Sequence, residues 1–157
     1  MVLPDDPVRS VAAFDPLTAT PHDTLRELCA RMTEGGCGFL LVVKPGAPAA
    51  VVTERDIVRA IGEGAEIDDV WATDVMTREV LEISADAPIS EAARLMMTAG
   101  VRHLVVRDDA ADTDGAGEEA GDAEGEEAAG ERVGVVSIRD ILEPLLETVE
   151  AALARDS

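Results

Sequence analysis

Thr53 and Asp56 stand three residues apart in "VVTERDIVRAI" (residues 51–61). Ser137 and Asp140 stand the same way in "VVSIRDILEPL" (residues 135–145). In each phrase a hydroxyl residue closes an apolar run, and an apolar helix pattern begins around the aspartate. That spacing permits two kinds of chemistry. As a helix cap, the hydroxyl accepts a hydrogen bond from an early helix N–H, and the aspartate reaches back to the cap N–H. As a binding site, the same helix start offers unpaired N–H donors and the positive end of the helix dipole to a phosphate. The hydroxyl can donate to that phosphate, and the two oxygens of the aspartate can accept from the paired hydroxyls of a ribose. Arg55 and Arg139 occupy matching positions. Each can approach a phosphate from the helix start, or pair with a surface acid. The spacing alone leaves both readings open.

The elements that must position these residues are themselves duplicated. Shifting the chain by 64 places sets Leu17–Val43 on Leu81–Arg107, with six of 27 positions identical. The apolar pattern repeats more fully than the identities. Leu25, Leu28, Cys29 and Met32 form a helical stripe, and Ile89, Ala92, Ala93 and Met96 form its copy. Gly36 and Gly100 follow the two helices, where a left-handed residue is needed. Phe39–Val43 and Leu104–Val106 read as buried strands. The opening phrases align at an offset of 84, so the second copy carries 20 extra residues. The expected fold is α/β (α+β): two pseudo-symmetric β-α-β-β-α repeats, packed sheet to sheet and sharing one core. The first repeat is expected at residues 8–64, the second at 65–147, and a helical tail at 148–157. Pro144 should kink or break the last helix.

Composition narrows the function classes. The chain has 33 acidic and 13 basic residues, a net charge of −20. Eleven of the acids lie in residues 108–131, which hold no Lys or Arg, so the remainder still carries −9. This insertion has no bulky apolar residue and reads as a disordered loop. Such a surface repels nucleic acid and anionic lipid. Lys44 is the only lysine. Low lysine with high acid content is similar to proteins of salt-accumulating halophiles, where concentrated salt screens the repulsion. Two cysteines, Cys29 and Cys37, align with Ala93 and Val101 and read as core residues rather than a disulfide framework or metal ligands. Met32, Met96 and Met97 read as helix core, and Trp71 as a packing residue between the repeats. His22 and His103 have no metal-like spacing with either cysteine. No Walker-type loop, secretory signal or membrane-length apolar run stands out. The expectation is a reduced cytoplasmic protein.

The stretch "DVMTREVLEISADAPISEAARLMMTAGVRHLVV" (residues 74–106), with "VVTERD" and "VVSIRD", resembles a tandem pair of cystathionine-β-synthase (CBS) domains, a Bateman module. The first repeat lacks the Asp74-Val75-Met76-Thr77 signature and has Ser10, Val11, Ala12 and Ala13 there. The resemblance implies a stand-alone regulatory module, not an enzyme, often a flat homodimer that controls a partner protein. It implies two clefts able to take AMP, ADP, ATP or S-adenosylmethionine, with no firm cofactor. Within it, the pairs Thr53/Asp56 and Ser137/Asp140 are the ribose and phosphate contacts, and Thr77 and Val80 line the base or its approach. Arg102 and His103 align with Gly38 and Phe39, so the clefts should differ. Arg102 can hold phosphate; His103 can do so too, or be a partly buried structural histidine. The second repeat is therefore expected to hold the better nucleotide site. The alternative is a structural or interaction module of the same fold with no nucleotide bound.

Overall fold

The computed structural model describes residues 2–45, 50–109 and 132–155. Residues 110–131, most of the insertion read as a disordered loop, lie outside the described residues. The chain builds two three-stranded sheets. One is β1 (Thr18–Ala19), β2 (Phe39–Val42) and β3 (Ala50–Thr53); the other is β4 (Glu82–Ser84), β5 (His103–Asp108) and β6 (Arg132–Ser137). In each sheet the first two strands are parallel and the last two antiparallel. Helix α1 (Leu25–Gly35) joins β1 to β2, and α2 (Glu54–Gly62) follows β3. A short α3 (Ala72–Val75) precedes β4, α4 (Ile89–Ala99) joins β4 to β5, and α5 (Ile138–Arg155) follows β6. This is the expected β-α-β-β-α order, twice.

Strand register carries the duplication to single residues. Phe39 pairs with Thr53 and His103 with Ser137; Thr18 pairs with Leu41 and Glu82 with Val105. Offsets of 64 before the hairpin loop and 84 after it convert each pair into its copy. The helices obey the same local rules. Thr24 and Glu27 form a capping box on α1, and Gly36 ends that helix in the left-handed conformation at φ 62°. Gly100 ends α4 at φ 68°. Leu25, Leu28 and Met32 are buried on one helix, and Ile89, Ala92 and Met96 on the other. Met97, expected in the core, is 81% exposed. One residue beyond buried Met96, it is rotated by about 100° out of the buried stripe.

The chain divides into two compact units that are offset from the sequence repeats. One is Asp15–Leu81; the other joins Met1–Phe14 to Glu82–Ser157. Each unit is completed by the lead-in segment of the other repeat. Thr77, at the sequence start of repeat two, exchanges backbone hydrogen bonds of 2.8 and 3.0 Å with Val51 of β3. Ala13, its counterpart at the start of repeat one, exchanges bonds of 2.9 and 2.8 Å with Val135 of β6. Ala72 N donates to Asp23 O, and Val8 N donates to Ala87 O, each at 2.8 Å. Ala72 and Val8 are both fully buried. Arg26 adds a fork to Asp68 at 2.6 and 2.9 Å, and this hydrogen bonding holds the Asp68 carboxyl below its ordinary range. Arg9 binds Asp86 and approaches buried Asp108 at 3.3 Å. Asp108, read as the start of the loop, is instead the last residue of β5, a buried carboxylate beside that guanidinium.

Buried side chains form two clusters, one in each unit. Leu25, Leu28, Leu40, Val52 and Ile57 belong to the first, with Ile67, Val70 and Met76 packed on it. Val8, Ile89, Leu104, Val106 and Ile141 belong to the second, with Val2, Val11 and Phe14 packed on it. Trp71, read as packing between repeats, sets its ring edge-on to His22 at 6.1 Å within one unit and is 47% exposed. Of the kink or break expected at Pro144, the break does not occur: helix α5 continues through it to Arg155. Proline removes one intrahelical donor. Further along the helix, the single Thr148 Oγ1 hydrogen is shared between Val2 O at 2.8 Å and Pro144 O at 3.0 Å.

Gly134 leaves room for the docked lead-in. A Cβ there would fall 2.8 Å from both Ala13 O and the Phe14 ring. Backbone cannot yield as a flexible side chain does. Gly134→Ala is expected to lower stability by about 1–3 kcal/mol in urea denaturation. Gly62→Ala, with open space around its Cβ position, should not destabilise the protein.

Candidate functional site

Each unit presents one hydroxyl–carboxylate helix start beside a sheet edge. In the unit of repeat one, β3 ends at Thr53 and α2 begins at Glu54. Thr53 N and Oγ1 both donate to Asp56 Oδ2 at 2.8 Å, and Asp56 N donates to Thr53 Oγ1 at 3.4 Å. In the unit of repeat two, Ser137 N and Oγ both donate to Asp140 Oδ2 at 2.7 Å, and Asp140 N donates to Ser137 Oγ at 3.2 Å. Both pairs are therefore capping boxes. The hydroxyl hydrogen points at the carboxylate, so in this state it is not aimed at a phosphate.

The cap does not exhaust the site. A carboxylate has about four acceptor positions, and the two cap bonds use one oxygen. Oδ1 of buried Asp56 faces Arg59 at 3.9 Å. Oδ1 of Asp140 accepts nothing among the described residues, and Glu143 occupies the place corresponding to Arg59. The first amide of each helix is taken: Glu54 N donates to Gly38 O at 3.0 Å, and Ile138 N donates to Arg102 O at 2.8 Å. The third amide is taken by the hydroxyl. The second amide, of Arg55 or Arg139, has no acceptor among the described residues. Arg55, Arg102 and Arg139 are exposed and form no ion pair among the described residues, despite the acidic surroundings. Each helix start thus offers a carboxylate oxygen for hydroxyls, one open N–H, and a guanidinium for an anion.

The sequence-predicted residues separate into two groups. Thr53, Arg55, Asp56, Thr77 and Val80 lie in one unit; Arg102, His103, Ser137, Arg139 and Asp140 lie in the other. Thr77, expected with Val80 to line the base or its approach, pairs with Val51, two residues from Thr53. Its counterpart near Ser137 is Ala13, which the sequence reasoning left out because the Asp-Val-Met-Thr signature is missing there. The offset of 64 was the available signal. Phe14 follows Ala13 and is covered by the Arg132 guanidinium at 4.7 Å. His103 is half-buried at the start of β5, paired across the hairpin with Ser137. Cys29 and Cys37 are free thiols; Cys29 packs against the core, and Cys37 Sγ donates to Phe39 O at 2.9 Å. Among the described residues no group of three or more His, Cys, Asp or Glu could hold a metal ion. No helix there is long and apolar enough to cross a membrane.

Two β-α-β-β-α units, each with a capped and still acceptor-rich helix start, define a paired recognition module of mixed α/β architecture. The CBS domain family model matches residues 2–63 and 72–115, and the chain belongs to that family. It is 31% identical over 153 residues to an uncharacterised protein of Methanopyrus kandleri, covering 94% of this chain and 68% of that protein. The CBS domain protein PAE2072 of Pyrobaculum aerophilum, solved in complex with AMP, is 25% identical with a TM-score of 0.65, over 90% of this chain and 98% of that one. The CBS domain pair of protein MJ0100, solved with 5′-methylthioadenosine and S-adenosyl-L-methionine, shares the fold at a TM-score of 0.68 and 19% identity, over 88% and 98% of the two chains.

The capping geometry has a cost that is independent of any ligand. Asp56→Ala and Asp140→Ala should each lower ligand-free stability by about 1 kcal/mol in urea denaturation. Asp56→Ala should have the larger effect, because Asp56 is the more buried of the two.

Proposed function

We propose that the protein is a regulatory, ligand-sensing module that binds adenosine nucleotides and controls a partner protein through ligand-dependent domain or dimer geometry. The observation that carries this reading is the pair of aspartates, each holding its helix cap through Oδ2 alone, beside an amide and an arginine that have no partner among the described residues. A ribose supplies two adjacent hydroxyl donors for that carboxylate, and a 5′ substituent extends from them towards the helix start. The complexes of the Pyrobaculum protein with AMP and of the MJ0100 pair with S-adenosylmethionine add support for this ligand class. A sensor works through differential binding to two states, so recognition rather than catalysis is its chemistry.

The reading includes a homodimer working in the cytoplasm in concentrated salt, the last suggested by the charge of −20. Leu142, Leu146, Val149 and Leu153 form an exposed apolar row on α5 that can serve as the contact between copies. Leu146→Glu is then expected to convert a dimer to a monomer in sedimentation velocity. The second reading, an interaction module with no nucleotide bound, is favoured by one observation: both hydroxyls are fully engaged in capping.

Thermal unfolding in high salt with AMP, ADP, ATP and S-adenosylmethionine separates the two readings. A ligand at about 100 times its Kd stabilises by about 2.7 kcal/mol, which is several degrees in Tm for a chain of this size. The wild type should show that shift with at least one of the four. Removing both aspartates should abolish it beyond the capping loss. No shift with any of them at millimolar concentration favours the second reading.

A further inference from the structure

The two helix starts differ at one pair of positions that face each other. In the unit of repeat one these are Gly38 and Glu54. Glu54 N donates to Gly38 O at 3.0 Å, and a Cβ on Gly38 would fall 2.6 Å from both Cδ and Oε2 of Glu54. The Glu54 carboxylate therefore folds over the residue preceding β2, and a glycine there leaves it room. In the unit of repeat two the same backbone bond joins Ile138 to Arg102. Ile138 packs against the core of its unit, and Arg102 is exposed. One unit thus has an anionic residue at the strand-to-helix junction, and the other has a cationic residue at the matching position. Glu54, Arg55 and Asp56 sum to −1; Arg102, Arg139 and Asp140 sum to +1. Arg59 and Glu143 oppose this difference, but they sit a turn further along their helices. Arg59 lies against the Asp56 carboxylate at 3.9 Å.

We infer that the two units select ligands of different charge, with Glu54 as the specificity-determining residue. The unit of repeat one takes an adenosine derivative that is uncharged or cationic at its 5′ end, such as a thioether or sulfonium. The unit of repeat two takes one that carries phosphate there. The physical cause is the repulsion between a 5′ phosphate and the Glu54 carboxylate at the start of α2, against attraction in the other unit by Arg102 and Arg139, which form no ion pair among the described residues. This inference rests on the nucleotide-binding reading and adds a ligand class for each unit.

Isothermal titration of the full chain with adenosine, AMP and S-adenosylmethionine, in one buffer, tests it. Asp140→Ala leaves the unit of repeat one as the intact site. There adenosine and S-adenosylmethionine should bind at least about tenfold more tightly than AMP. Adding Glu54→Gln should raise the AMP-to-adenosine affinity ratio by about tenfold. Asp56→Ala leaves the other unit, where AMP should be the tighter ligand. Glu54 is exposed, and a loss of folding would weaken both ligands alike, so the ratio reports selectivity alone. Equal affinities for AMP and adenosine in Asp140→Ala, or an unchanged ratio on adding Glu54→Gln, would overturn the inference while leaving nucleotide binding intact. Failure of all three compounds to bind the wild type would overturn both.

Discussion

Each sheet has an outer edge that is met by a residue from the lead-in of the opposite repeat. β3 and β6 would otherwise present an open edge of N–H and C=O groups. Thr77 and Ala13 meet those edges through reciprocal backbone bonds, each drawn from the lead-in of the opposite repeat. Ala72 and Val8, both fully buried, anchor the two crossing segments from the α1 and α4 sides. Neither core is complete without the exchange. Ile67, Val70 and Met76 cover one cluster, and Val2, Val11 and Phe14 cover the other. Independent repeats of roughly 60 residues would be marginal, because small domains bury too little of their surface. A chain that crosses over twice ties the folding of each unit to residues far away in sequence.

The same exchange decides what stands near each helix start. Thr77 arrives beside Thr53, and Ala13 beside Ser137, so the signature segment serves the repeat that precedes it. At the helix starts the aspartate meets two demands with one group. Oδ2 fixes the turn from strand to helix, and Oδ1 remains an acceptor. Capping and ligand contact are therefore compatible and not competing explanations. A cap also orients the carboxylate in advance, which lowers the ordering cost of any later contact. The arginines fit the same logic. In a chain with 33 acids, Arg55, Arg102 and Arg139 remain unpaired among the described residues, whereas Arg9 and Arg26 are held by aspartates.

Local chemistry was legible in the sequence. Element order, both αL glycines, the buried stripes and the Thr53/Asp56 and Ser137/Asp140 caps follow from near neighbours: helical period, strand alternation and short hydrogen bonds. Even the register was present, because constant offsets of 64 and 84 map one hairpin on the other. The misjudged residues depend on contacts distant in sequence. Pro144 stays helical in a helix whose Thr148 also reaches Val2 O. Asp108 ends a strand, paired with Arg132, and its charge faces Arg9, 99 residues away. Met97 was placed in the core by type, when its angle on the helix carries it to solvent.

The sequence by itself determined that there are two copies of one binding-capable turn, since a hydroxyl and a carboxylate three residues apart settle their own geometry. It also determined the family, through motifs that need no partner to be recognised. Which residues share a unit was decided by tertiary structure. Backbone pairing between Thr77 and Val51, and between Ala13 and Val135, is invisible to any local pattern, because hydrogen-bonded edges carry no side-chain signal. The placing of Glu54 over Gly38 was decided in the same way, by the space that two distant segments leave one another.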